Sequence, residues 1–304
     1  MKSSASSSGP PTDPAPGRPA EIEEPTNLYL VHPVSRALVT LLIRTPVTPN
    51  QVSVASVAMA GAAALCYAQL AWPLNAFAGL AFQFAWHVLD GADGDLARRT
   101  GRASTVGELV DGICDHASQG LIYLAFAIIL SRAHWPVALG SWAWAVAAAG
   151  ALSHFIQANA FETGRKGYRR WVYGATWIRQ DLTGAREAGP VQRLLGEVYL
   201  RLSRVTDPGG GDLEAKMSAR TAAGAQQAQA ARRLYRETYA PLVARSAALS
   251  GNSRTVAAFL CLLAGSPLWY FAFEVTALNA VLAALILARA RRNARLATAL
   301  RAVA

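Results

Sequence analysis

The sequence predicts an all-α, polytopic membrane protein with about six transmembrane helices, an N-terminal interfacial helix and a cytoplasmic helical insertion. Three observations carry that prediction. Only 16% of the 304 residues are charged while 53% are hydrophobic, against about 25% charged in a soluble domain, and the mean hydropathy is +0.22. The apolar residues gather into runs close to the ~20 residues that a helix needs to cross a bilayer core. The arginines between those runs fall mainly in alternate loops, as the positive-inside rule requires.

Residues 1–26 are rich in Ser, Pro, Gly and Ala and hold no apolar core, which predicts a disordered tail. No hydrophobic stretch follows Lys2, so a signal peptide is not expected. Residues 27–162 are assigned to the interfacial helix and membrane helices one to four. Over 29–44, Val34, Leu38, Leu41 and Leu42 form one stripe, with Arg36, Thr40 and Arg44 elsewhere, which fits a helix lying in the membrane interface. Thr48 and Pro49 then read as a helix start, the first as cap and the second as a first-turn residue.

Six spans are expected near 50–72, 74–98, 105–131, 136–162, 253–273 and 275–292, with Pro267 and Glu274 interrupting the last pair. Arg98, Arg99 and Arg102 follow span two, Arg165, Lys166, Arg169 and Arg170 follow span four, and Arg289, Arg291, Arg292 and Arg295 follow span six. The opposite loops carry little positive charge apart from Arg132. Both termini and the second loop are therefore expected on the cytoplasmic side, in the inner membrane. Residues 163–252 are expected to form a cytoplasmic insertion. Within it, 191–205 is amphipathic, with Leu194, Leu195, Val198 and Leu202 on one side, and 207–212 breaks the helix. Residues 253–304 hold the last two spans and a basic tail.

The formal charge of +10 admits two partners, nucleic acid or an anionic leaflet. The apolar runs favour the lipid bilayer, and no nucleic-acid-binding signature is present. Cys66, Cys114 and Cys261 are isolated in apolar segments, which suits small buried hydrophobes and excludes a complete disulfide framework.

The chemistry concentrates between Asp90 and Asp115. Asp90 and Asp93 are three apart, and Asp111 and Asp115 four apart, so each pair shares one face of a helix. Brought together, the pairs make an all-oxygen cage of the kind preferred by Mg²⁺ or Mn²⁺. Apolar runs at 74–89 and 121–130 flank them, and ionisable residues in such helices are costly enough to be read as functional.

The full pattern is Asp90, two residues, Asp93-Gly94, two residues, Ala97-Arg98, eight residues, Gly107, three residues, Asp111, three residues, Asp115. It resembles the signature of the CDP-alcohol phosphatidyltransferases at every fixed position. The resemblance implies attack of an acceptor alcohol on the β-phosphorus of a CDP-activated lipid or CDP-alcohol, with release of CMP. It implies that Asp90, Asp93, Asp111 and Asp115 hold Mg²⁺ or Mn²⁺, as two ions, and that Asp115 also acts as the general base. Gly94, Ala97 and Gly107 would let the nucleotide approach the helix backbones, and Arg98 would meet phosphate oxygens. Tight helix packing explains the small residues equally well. A homodimer is compatible with this reading.

Weaker candidates surround the motif. Asp95 is expected to be solvated or paired with Arg98 or Arg99. Glu108, His87 and His116 lie close in sequence to the carboxylates. His154, Gln157, Asn159, Glu162, Arg165 and Lys166 would hold the acceptor if they face them, and the last two would favour an acidic one. Two alternatives stay open: a soluble CDP-alcohol donating to a lipid hydroxyl, and a cation transporter with an Asp-lined path, although transporters place such groups near mid-membrane.

Overall fold

Helices build the whole of the computed structural model, which describes residues 19–175 and 190–302, and no strand occurs among the described residues. After one stretch of π-helix at Asn27–Val31, α1 (His32–Leu42) packs on the helix Leu74–Arg99, where Ser35 Oγ donates to the Val88 carbonyl at 2.8 Å. Val34 and Leu41 stay exposed, as an interfacial helix requires.

The next helix, α2 (Pro49–Gln69), begins as the sequence predicts: Thr48 Oγ1 accepts from Gln51 N at 3.3 Å and Gln51 returns the bond to Thr48 N at 2.9 Å. This reciprocal cap satisfies two otherwise orphaned amides. Beyond the cap α2 is made largely of small residues, and it packs along both α3 (Leu74–Arg99) and α4 (Thr105–Arg132). Ala60 and Ala63 are fully buried there, because small side chains let membrane helices approach closely. Tyr67 reaches across to α3, donates to Gln83 Oε1 at 2.5 Å and lays its ring where a Cβ on Gly79 would stand.

Helix α5 (Trp142–Tyr173) runs well past its expected end at 162 and stops at Gly174 in the left-handed region, φ 71°. Three further helices follow: α6 (Pro190–Thr206), α7 (Gly210–Ala222) and α8 (Ala225–Arg245). The side chains of Leu194 and Leu195 lie outside the described residues. The chain ends in α9 (Gly251–Leu263) and α10 (Leu268–Ala302), the latter passing through a π-helical stretch at Phe273–Leu278.

Three helices are long and apolar enough to cross a bilayer: Pro49–Gln69, Val110–Arg132 and Leu268–Ala302. The last pair of expected spans requires correction. The break lies at Gly265, φ 89°, and Pro267, and α10 continues straight through Glu274. The reason is electrostatic. Arg254 of α9 donates Nε to Glu274 Oε1 at 3.0 Å and Nη2 to Gln157 Oε1 at 2.6 Å, with both members of the ion pair buried. A charge paired in this way can sit inside an apolar helix instead of ending it. The 13 residues of α9 span about 20 Å, less than the ~30 Å hydrocarbon core.

Besides a small core of Val39, Val52, Ala92 and Leu96 that joins α1, α2 and α3, two larger hydrophobic cores form among the described residues. One joins α2, α4, α9 and α10 through Tyr67, Ile122, Phe126, Leu262, Tyr270 and Phe271. The other joins the end of α5 to α7, α8 and the far half of α10 through Tyr168, Met217, Tyr235, Leu242, Leu285 and Leu300. Residues 19–26, assigned from sequence to the disordered tail, are part of it, while 1–18 lie outside the described residues. Ile22 is buried in that core and Glu21 accepts from Tyr168 at 2.6 Å, Tyr173 at 2.7 Å and Arg236 at 2.9 Å. Burial alone would raise the Glu21 carboxyl, but these donors hold it below the usual glutamate range.

The bundle has two unlike ends. Trp72, Trp135, Gly265 and Pro267 border one groove of about 390 Å³, with both tryptophans exposed. At the other end lie Arg98, Arg99 and the carboxylates. Tryptophan at the membrane–water boundary and arginine beyond it are the usual membrane pattern.

Removing one partner of the Arg254–Glu274 pair leaves an uncompensated buried charge, which typically costs about 3–5 kcal/mol. Arg254→Met alone should therefore lower the melting temperature sharply in detergent. Arg254→Met combined with Glu274→Met should recover most of the loss, and thermal unfolding of the single and double variants checks it.

Candidate active site

The loop after α3 reverses the chain, and Ser104 starts α4 by accepting from Gly107 N at 3.0 Å. That turn brings Asp90 of α3 opposite Asp111 and Asp115 of α4. Carboxylate oxygens from these three residues all lie within 4.8 Å of one another, and all three are half-buried. Asp90 and Asp115 come within hydrogen-bonding reach of each other, an arrangement that needs a shared proton or a cation between them. The surrounding field is acidic: Asp111 has Asp90, Asp93 and Glu162 as like-charged neighbours and Lys166 as an opposite one. An all-carboxylate donor set of this kind suits a hard divalent cation and offers no sulfur or imidazole for zinc. The residues therefore fit the ion expected from the sequence.

Asp93 is placed differently from its three partners. It is buried, its Oδ2 accepts from Ser53 Oγ of α2 at 2.5 Å, and its Oδ1 faces the Gly94 amide. It lies one turn beyond Asp90, beside the group of three. Sequence reasoning missed Ser53. The signal was a serine on the small-residue face of an otherwise apolar helix, where a hydroxyl needs a partner.

The other expected residues separate into three groups. Gly94 lies under Arg98, whose Nη1 would be 3.3 Å from an added Cβ, and Gly107 faces Ser104 and Asn50 in the same way at 3.2 and 3.8 Å. Ala97 lies between them on α3. Asp95 pairs with Arg99 at 3.0 Å and Arg98 at 3.6 Å, as expected. The Glu108 side chain lies outside the described residues.

The histidines serve packing. His87 shares a hydrogen bond with Thr255 Oγ1 at 2.7 Å and stacks on Trp86, and His116 Nδ1 bonds the Gly112 carbonyl at 2.7 Å. His154 and Gln157, considered from sequence as acceptor ligands, instead face Glu274 and Arg254 inside the bundle. Glu162 and Lys166 do reach the carboxylates' field, whereas Arg165 is drawn to Glu23 at 2.9 Å and Glu162 at 3.7 Å.

The described residues thus form an all-α, membrane-like bundle whose arginine-rich end carries a carboxylate cluster able to hold a cation. Residues 46–175 match the family model of the CDP-alcohol phosphatidyltransferases, and this stretch of the chain is similar to that family. The match defines a phosphotransferase acting on a CDP-alcohol and an acceptor alcohol, in a family that generally uses a divalent metal. No curated protein and no solved structure matches the chain significantly.

If Ser53 orients Asp93 through its hydroxyl, Ser53→Ala should weaken Mn²⁺ binding by about 5–10-fold, the equivalent of one hydrogen bond. Ser53→Thr should retain it. Mn²⁺ titration followed by electron paramagnetic resonance measures this without any turnover.

Proposed function

We propose that the protein transfers a phosphatidyl group from CDP-diacylglycerol to a hydroxyl of a polyol or polyol phosphate, releasing CMP, at the cytoplasmic face of the inner membrane. The observation that carries this reading is the meeting of Asp90, Asp111 and Asp115 within the family-matched segment. Asp90, Asp111 and Asp115, with Asp93 beside them, would hold two Mg²⁺ or Mn²⁺ ions. Bound there, such ions supply positive charge to the pyrophosphate and to the oxygen that leaves.

The remaining work falls to the chain itself. Asp115 takes the proton of the acceptor hydroxyl. The acceptor oxygen forms its bond to the β-phosphorus as the bond from that phosphorus to the bridging oxygen breaks, and CMP departs with the bonding pair. Asp115 stands within reach of Asp90, so its proton affinity depends on how fully the neighbouring charges are neutralised. Arg98 offers a planar guanidinium to phosphate oxygens. Gly94, Ala97 and Gly107 add little bulk of their own, so a nucleotide nears the backbone at Gly94 by displacing only the flexible Arg98 side chain. Lys166, whose charge acts on Asp111, favours an acidic acceptor at the same end of the bundle.

CMP release across a panel of CDP-alcohols, with and without EDTA, tests the reading directly. CDP-diacylglycerol should be the productive donor, and activity should vanish with EDTA and return with Mg²⁺. Turnover with CDP-choline or CDP-ethanolamine in its place would reverse the roles of donor and acceptor.

Two further outcomes are expected. Asp115→Asn should lose about 10²–10⁴-fold in rate, as removal of a general base does, with nucleotide affinity retained and no rescue by Mg²⁺. Asp90→Asn should recover in part at high Mg²⁺, and kinetics across a Mg²⁺ titration separate the two. In a background lacking Cys66, Cys114 and Cys261, an impermeant thiol reagent added outside should label a cysteine at Trp135 and spare one at Arg102 or Gly210.

A further inference from the structure

A second polar site lies on another face of α5. Glu162 and Lys166 turn toward the carboxylates, whereas Thr163, Gly164, Gly167 and Trp171, about 60–180° around the helix from them, border a cavity of about 290 Å³. The α6–α7 turn, α8 and α10 close its other sides. None of its lining residues belongs to the transferase motif.

The walls carry opposite charges: Arg289 and Asp207, which feel each other's field, Glu214, which is paired with Arg170 at 2.8 Å, and the exposed Arg204. Asp207 and Arg289 both line the cavity, and no ion pair joins them among the described residues. Each is pinned in place. The Arg289 guanidinium, 4% exposed, donates to the carbonyls of Ala160 at 2.7 Å and Thr206 at 3.3 Å. Asp207 Oδ1 accepts from Asn293 Nδ2 at 2.8 Å. Gly164 admits the guanidinium, since a Cβ there would stand 2.5 Å from Nη2. Arg289 is thus buried without a direct ion pair, which is costly, while Asp207 is half-buried across the cavity.

A third polar group borders the cavity. Tyr235 is 6% exposed and borders the cavity beside Gly167, yet its hydroxyl makes no hydrogen bond among the described residues. Its ring stacks on Tyr239 with centroids 4.5 Å apart, and the Tyr239 hydroxyl is already committed to Asn293.

We propose that this cavity binds a small zwitterion, a molecule with a protonated amine at one end and a carboxylate or phosphate at the other. The anionic end meets Arg289 and the Tyr235 hydroxyl. The ammonium meets Asp207, with the faces of Trp171 and the stacked tyrosines beside it for cation–π attraction. A plain anion would leave Asp207 repelling it, and a plain amine would do the same with Arg289. The inference does not rest on the transfer reaction, because it uses none of that site's residues.

The test uses the full-length protein in detergent with EDTA present, so that the carboxylate cluster is stripped of divalent ions. Serine and O-phosphoethanolamine serve as the carboxylate and phosphate zwitterions, glycerol 3-phosphate as the plain anion and ethanolamine as the plain amine. Isothermal titration should show saturable binding of at least one zwitterion, at least about tenfold tighter than either singly charged probe. Tyr235→Phe keeps the ring and should weaken that binding by about 5–10-fold, the worth of one hydrogen bond. Asp207→Asn should remove the preference for the zwitterion over glycerol 3-phosphate. The proposal is overturned if neither zwitterion binds at about 10 mM, if ethanolamine or glycerol 3-phosphate binds as well, or if both variants bind unchanged. Binding that Asp111→Asn abolishes and Tyr235→Phe spares would place the ligand at the carboxylates and overturn it equally.

Discussion

Three carboxylates within 4.8 Å of one another repel, and they do so in surroundings that screen charge poorly. Nothing in α3 or α4 alone would hold them there. Helix α2 does, by packing its small-residue face along both and fixing the separation of their ends. The Thr48–Gln51 cap sets where α2 begins, Ser53 engages Asp93 four residues further on, and Tyr67 locks onto Gln83 and Gly79 near its end. The rest of the bundle can be understood as support for this wedge. A cluster so assembled favours whatever cation neutralises it, and the packing keeps the site in shape before one arrives.

The motif was legible because its spacing is a property of helices. Intervals of three and four residues put Asp90 with Asp93 and Asp111 with Asp115 whatever the surroundings, and the start of α2 was legible because capping is local. What could not be read were relations between distant segments. Glu274 looks like an interruption until Arg254, twenty residues away, is placed against it. His154 and Gln157 look like ligands of a polar site until that same pair claims them. Ser53 is unremarked in an apolar run until α3 lies beside it. In each case the deciding partner belongs to another helix, and periodicity carries no information about that.

The insertion shows the same limit on a larger scale. From sequence it reads as a cytoplasmic insertion with one amphipathic helix at 191–205. In the structure its helices share one core with the end of α5, the far half of α10 and residues near the N-terminus, with Ile22, Tyr168, Tyr235 and Leu300 together in it. Glu21 and Glu23 tie the N-terminal stretch to Tyr168, Tyr173, Arg236 and Arg165 through charge-assisted bonds, which are stronger than neutral ones. Four acidic residues in a tail rich in Ser and Pro gave little hint of this.

One helix deserves to be followed from end to end. The 35 residues of α10 extend about 50 Å, beginning at the tryptophan groove, crossing the first core at Tyr270 and Phe271, and ending in the second at Leu296 and Leu300. It is therefore a common beam through both halves of the molecule, and it lies wholly outside the stretch that matches the family. The unit of shared ancestry and the unit of folding do not coincide here. A fragment trimmed to residues 46–175 would keep every motif carboxylate and lose the wall on which α4 and α5 close, so inheritance of the chemistry and autonomy of the fold are separate properties of this chain.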